Sequence, residues 1–338
     1  MKKILYTSLA GLLLGILMAS CGPERTVEWA MYHWKSEADF SKEEQAFLAD
    51  QSVNKVYIRY FDVVKKGGRL IPVSVLQSAD TLPAQNWIPS IYITQQSLIK
   101  ISSVEIDELA DNMTGKIHQL NNRFGIQSPE ILLDCDWTDG TRDAYFNLLR
   151  KIKEKSGSQL ISTVRLHQLK HFEDRGVPPV DRCQLMLYNM GYLSDYKERN
   201  SILNVEEAGK YRRKLDEYPK PMDLSLPMFS WLVRFRSGKS QELISDFDRE
   251  VLQDTSLFSN EGGNKYMLKR DTFLFDRFQY KYDVYRLEEC SHSDLIKLAR
   301  QWEPMLPSGP IEIAWFDLRS RNLNNRKETW NEIEQILN

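Results

Sequence analysis

The chain has 338 residues, 42% of them hydrophobic and 27% charged, and 45 Lys and Arg against 47 Asp and Glu give it a formal charge of −2. A mildly acidic chain without a basic run is not built for nucleic acid. Its four scattered cysteines form neither a disulfide framework nor a metal-ligand spacing. No glycine loop for phosphate and no nucleophile motif around the five histidines is present, so no cofactor is expected.

The first element in chain order reads as a leader. Lys2 and Lys3 precede an apolar stretch from Ile4 to Met18, and Met-Ala-Ser-Cys follows at Met18 to Cys21. A charged start, an apolar run too short for a comfortable membrane span and small residues before a break mark a secretory signal over residues 1–20. The cysteine after those small residues resembles a bacterial lipobox. That resemblance implies acyl chains on Cys21 and anchoring to a membrane of the cell envelope, the outer membrane foremost. Loss of Lys2 and Lys3 takes the charge from −2 to −4.

Beyond residue 26, apolar runs alternate with amphipathic charged stretches. The runs are Val27–Trp34, Lys55–Phe61, Trp87–Thr94, Ile131–Trp137, Gln159–Leu166, Cys183–Tyr188, Met222–Trp231 and Ile311–Phe316. The helical spacings are Lys42–Asp50, Val104–Phe124, Arg142–Lys155, Val205–Tyr218, Ser240–Leu252 and Ser291–Trp302. Strands that are apolar throughout and alternate with helices pair in parallel, buried on both faces. Eight of them predict one (β/α)8 barrel over residues 26–338, with a doubly wound sheet as the alternative. About 80 residues separate the seventh and eighth runs, far beyond a usual connection. A β-rich insertion is expected there, near residues 255–290.

The fourth run, EILLDCDWT, carries two aspartates. Strand side chains alternate, so Asp134 and Asp136 share a face, continued by Thr138. Active centres of such barrels lie at the carboxyl ends of the strands. Those ends read Tyr32 and Trp34; Arg59, Tyr60 and Asp62; Tyr92 and Thr94; Asp134, Asp136 and Thr138; Arg165 and His167; Tyr188 and Asn189; Phe229 and Trp231; Trp315, Asp317 and Arg319. Aromatic faces stack on sugar C–H groups while carboxylates and arginines bind hydroxyls, so the rim has the chemistry of a glycan site. Asp134 and Asp136 are the candidate catalytic pair. Arg59, Asp62, Tyr92, Tyr188, Asn189, Trp231, Trp315 and Asp317 are the candidate substrate contacts.

These strand ends resemble glycoside hydrolase family 18, the chitinase-like barrels, whose fourth strand ends in DxxDxDWE. Here Ile131 to Thr138 stand in that frame, Met186 to Asn189 match the family's Met-x-Tyr-Asp, and Leu224–Trp231 and Trp315 are similar to its seventh and eighth strands. Asp134-x-Asp136 and Arg59 to Asp62 also resemble an uncharacterised bacterial family, domain of unknown function 3142. The departures are as informative as the matches. Thr138 stands where the family has its acid glutamate, and a hydroxyl cannot protonate a glycosidic oxygen at useful pH. Ile131 stands where the pattern has its first aspartate. Three readings remain open: a hydrolase whose acid has moved, a glycan-binding lipoprotein that lost the acid, and a structural lipoprotein of the envelope.

Overall fold

The computed structural model describes residues 25–79, 86–319, 323 and 326–338; the leader and Cys21 lie outside them. Eight strands close a parallel barrel: β1 (Thr26–His33), β2 (Lys55–Lys66), β4 (Asn86–Ile93), β5 (Glu130–Asp134), β6 (Gln159–Arg165), β7 (Arg182–Met186), β8 (Met222–Pro227) and β16 (Pro310–Phe316). Pairing runs β1-β16-β8-β7-β6-β5-β4-β2, and β1 meets β2 in parallel register from Ala30↔Lys55 to His33↔Ile58. The upper half of β2 continues into an antiparallel hairpin with β3 (Arg69–Val73).

Alternation along these strands separates two apolar regions. Ala30, Tyr32, Tyr57, Ile88, Leu132, Ile161 and Ala314 fill the lumen, while Met31, Val56, Leu133, Leu185 and Ile313 face outward into the larger core. Two long helices, Ser103–Phe124 and Arg142–Ser156, cover the outside beside β4 to β6. The first starts in a Ser102–Glu105 capping box and stops at Gly125, whose φ of 66° a glycine adopts without strain.

The floor of the barrel is charged. Lys55 Nζ lies 2.9 Å from Glu312 and 3.4 Å from Glu130. Arg182 lies 2.8 Å from Glu130 and 3.3 Å from Glu312, and it also grips Asp223. The Tyr57 hydroxyl donates to Glu312 and accepts from Arg182 at 3.2 Å. Buried ions persist only when paired and hydrogen-bonded, and here each is both. Burial and the nearby Glu312 carboxylate push the Asp223 carboxyl up to about 6, against the pull of Arg182.

The insertion is larger than the sequence pattern placed it. The seventh barrel strand ends at Pro227, and the chain enters a second sheet at Ser230. That sheet comprises β9 (Ser230–Arg236), β10 (Lys239–Ile244), β11 (Phe258–Asn260), β12 (Lys265–Leu268) and β15 (Val284–Glu289), ordered β10-β9-β15-β12-β11. A separate hairpin pairs β13 (Thr272–Leu274) with β14 (Arg277–Gln279). The helix expected over Ser240–Leu252 is instead β10 and a 3-10 turn at Arg249–Gln253. Ser237 and Gly238, at φ 49° and 74°, close a tight hairpin that overrides the helical spacing of Leu243, Phe247 and Val251. The stretch Val205–Tyr218 likewise shortens to a helix at Val205–Gly209 and a 3-10 turn at Arg212–Lys214.

Candidate functional site

At the carboxyl end of the barrel, Asp134 closes β5 in the parity of Leu132 and Asp136 follows it two residues on. Asp134 accepts a hydrogen bond from the Thr163 hydroxyl at 2.6 Å. Burial, then the negative charge of Asp136, pushes the Asp134 carboxyl up to about 7, with Thr163 and Arg165 opposing. Asp136 is more open, its side chain 43% exposed, and accepts from Arg165 at 2.8 Å. The same guanidinium donates to the carbonyl of Asn189, a residue at φ 55°. Tyr92, opposite Asp134 in the β4–β5 register, is half-buried beside them. Its hydroxyl is pushed up to about 12 by burial and then by Asp134 and Asp136. One phenol, two carboxyls and one guanidinium therefore meet at a single edge of the mouth.

Arg59 and Asp62 are three residues apart, a spacing that puts strand side chains on opposite faces. The register of β2 against β4 slips between Arg59 and Phe61. That slip brings Arg59 round to grip both oxygens of Asp62, the Nε contact being 2.8 Å. Trp34 lies against Arg59, guanidinium to ring centre 5.6 Å. Tyr188, an expected contact, is buried: it stacks on Phe316 at 5.2 Å and meets the buried Phe229 edge-on at 5.8 Å, leaving Phe316 as the half-buried ring of this cluster.

Three expected contacts are placed elsewhere. Trp315 does not reach the mouth: it is 1% exposed, in the outer core, stacked on Trp330 at 5.3 Å. Parity explains this, since Ala314 and Phe316 point inward on β16, so Trp315 and Asp317 point outward. Asp317 is sealed at 0% exposure, with both oxygens accepting from Arg319 Nε at 3.1 and 2.9 Å. Burial raises its carboxyl despite Arg319. Trp231 is buried, and its indole donates to Glu288 Oε2 at 2.8 Å, a bond between the neighbouring strands β9 and β15 of the second sheet instead of a contact in a groove.

Three contributors, Thr163, Phe316 and Gln95, were not singled out from the sequence pattern. Thr163 holds Asp134, and Phe316 supplies the aromatic face assigned to Trp315. Gln95 donates to the Thr138 hydroxyl at 2.9 Å, while the Thr138 carbonyl accepts from Thr141 and Arg142 to start the following helix. Thr138 is thus committed to local structure. His33, next to Tyr32 but facing outward, is buried against Phe40 at 4.7 Å. Burial, then Lys35, pulls its imidazole down to about 3. Parity would have found Phe316; no sequence signal marks Gln95.

The architecture is that of a (β/α)8 barrel carrying an insertion between its seventh strand and the helix that precedes its eighth. A spore cortex-lytic enzyme, SleL, from Bacillus cereus matches at a TM-score of 0.52 and 13% identity, over 94% of this chain and 75% of its own. A chitinase from Chromobacterium violaceum matches at 0.52 and 11% identity, over 92% and 99%. The Ostrinia furnacalis Group IV chitinase, solved in complex with allosamidin, matches at 0.51 and 9% identity, over 92% and 98%. At these identities the likeness is one of fold. No protein-family model matches the chain, and no curated protein matches it in sequence.

Proposed function

We propose that the chain is an envelope lipoprotein, acylated at Cys21, whose barrel mouth binds a glycan without cleaving it by the usual acid-assisted route. The observation that carries this reading is the engagement of the carboxylates. Asp62 and Asp136, at the mouth, are each gripped by an arginine, Arg59 and Arg165. Thr138, at the acid's place in the motif, offers only a hydroxyl already bonded to Gln95. The Arg59–Asp62 and Arg165–Asp136 forks beside the half-buried Trp34, Tyr92 and Phe316 suit sugar hydroxyls and ring faces. The chitinases among the structural neighbours share the barrel, and the motif likeness to domain of unknown function 3142 rests on the same residues, Arg59, Asp62, Asp134 and Asp136.

The test is calorimetry with chito-oligosaccharides and soluble peptidoglycan fragments, after a glycan array to choose the probe. Asp136→Asn should weaken binding about tenfold, near 1.4 kcal/mol, the order expected for one charge-assisted hydrogen bond, while the melting temperature stays near that of the parent. Equal affinity in parent and variant would remove Asp136 from the site.

One observation favours a second reading. A carboxyl poised near 7 is a serviceable general acid, and Asp134 is such a group. Release of reducing ends by the parent, abolished in Asp134→Asn, would establish hydrolysis; no release with binding intact supports the first reading.

The anchor has its own check. Cys21→Ser should move the protein from the membrane to the soluble fraction, and identical fractionation of variant and parent would end that claim.

A further inference from the structure

The hairpin β13–β14 turns one face to the inner sheet and one to solvent. Leu274 packs on the insertion's core, whereas Phe273 and Phe278, paired across the strands, are 68% and 52% exposed. Tyr280 and Tyr282 follow on the departing chain at 47% and 63%. Exposed large apolar groups gathered in one patch mark an interaction surface.

Three of these rings are braced. Phe278 and Tyr280 meet edge-on at 5.2 Å. The Arg236 guanidinium lies 4.1 Å from the Tyr280 ring centre and is itself forked onto Asp283 at 2.7 and 2.8 Å. Lys281 Nζ lies 4.7 Å from the Tyr282 ring centre. The charge around them is positive. Residues 265–282 hold five Lys and Arg (Lys265, Lys269, Arg270, Arg277, Lys281) against Asp271 and Asp276, a local +3 in a chain of −2.

We propose that this face docks an acidic polysaccharide, its sugar rings stacking on Phe273, Phe278 and Tyr280 while its carboxylate or other anionic groups pair with Lys281 and Arg270. Fixed ring faces suit sugar stacking, because no ordering of the side chains is then required on binding. The turn argues against a membrane as the occupant. Phe275 and Asp276 form it, at φ 55° and 60°, and Asp276 is exposed at the leading tip. An anionic lipid surface repels that carboxylate, and hydrocarbon excludes it. The proposal does not depend on what the barrel mouth binds.

The experiment is affinity electrophoresis of the folded protein through gels containing polygalacturonate, with neutral dextran as control. The parent is expected to be retarded by polygalacturonate alone. The double variant Phe273→Ala, Tyr280→Ala, which removes rings and no charge, should lose at least tenfold in affinity while melting like the parent. Phe273→Tyr with Tyr280→Phe should restore it. Equal retardation of parent and double variant, or none of the parent, overturns the proposal. So does loss of retardation in Asp136→Asn, which would put the polymer in the mouth. Capture of the parent, but not the double variant, by phosphatidylglycerol vesicles in the absence of polygalacturonate retardation would assign the patch to a lipid surface instead.

Discussion

Asp134 and Asp136 leave the same strand two residues apart and end in unlike surroundings. Asp134 sits under the rim on Thr163; Asp136 stands out at the edge on Arg165. Alternation along a strand was enough to place both in the mouth, because it needs only a count of residues from Leu132. The same count, applied from Ala314, excludes Trp315 and Asp317 and selects Phe316; the attraction of a strand-end tryptophan obscured it. The Arg59–Asp62 fork was legible as two polar residues near a strand end, but not as a pair, since a register slip has no sequence mark of its own. The Thr163–Asp134 bond permits a sharp expectation. Thr163→Val keeps the shape and removes the donor, leaving a buried carboxyl short of a partner. It should cost about 1–3 kcal/mol, read from the denaturant midpoint, whereas Thr163→Ser should recover most of the loss. A valine variant as stable as the parent would show that the bond holds nothing.

At the scale of elements, a buried carboxylate gathers contacts between the insertion and the loop after β7. Glu288, 1% exposed on β15, accepts from the Trp231 indole at 2.8 Å, from the Ser201 amide at 2.9 Å and from Arg286 Nε at 2.6 Å. Arg286 in turn donates to the carbonyls of Leu193 and Asp195. Second sheet and the loop after β7 are thereby joined through ions out of water. Removing one partner of such a set leaves the other charge buried and unpaired, so Glu288→Ala should cost about 3–5 kcal/mol. Hydrogen exchange should rise across residues 193–201 and in β15 well before it rises in β5 or β6. If protection in the two regions falls together, the insertion is not an independently loosened element. An insertion is visible in the sequence as an overlong connection, yet it starts at Ser230 and not near 255, because large apolar residues continue on both sides of Pro227 in Met222–Trp231 and hide the passage from barrel to second sheet.

For the whole molecule, the barrel was readable because eight apolar runs and their spacing leave few alternatives, and helix capping reinforced the pattern. What the runs could not disclose is the floor. Lys55, Glu130, Arg182, Asp223 and Glu312 all lie at or near the first residues of their strands, where a charged residue ordinarily marks a solvent-facing end. Only closure of the sheet brings them together. Arg182 touches three of the carboxylates, so Arg182→Met should destabilise the barrel by about 3–5 kcal/mol without altering ligand contacts at the opposite end. A melting temperature unchanged by that substitution would mean the floor is held by other contacts.

Burial of acids and imidazoles in one fold has a consequence for acid tolerance. A carboxyl raised on folding, as Asp134 is to about 7 and Asp223 to about 6, favours the native state below its unfolded value, and that advantage fades as pH climbs through the raised one. An imidazole lowered on folding, as His33 is to about 3, does the reverse: its advantage is complete above 6.5 and is lost as pH falls. His167 is lowered too, by burial first and then by Arg165. Between pH 4.5 and 6.5 the native carboxyls hold protons that the unfolded chain releases, while the unfolded histidines hold protons that the native state refuses. Folding then exchanges few protons with the solvent, and the denaturant midpoint of the parent should be nearly level across that interval. Asp134→Asn deletes one side of the exchange. Relative to the parent, its stability should slope downward on acidification by up to about 1.4 kcal/mol per pH unit, and parallel profiles for the two proteins would show that Asp134 carries no proton into the fold.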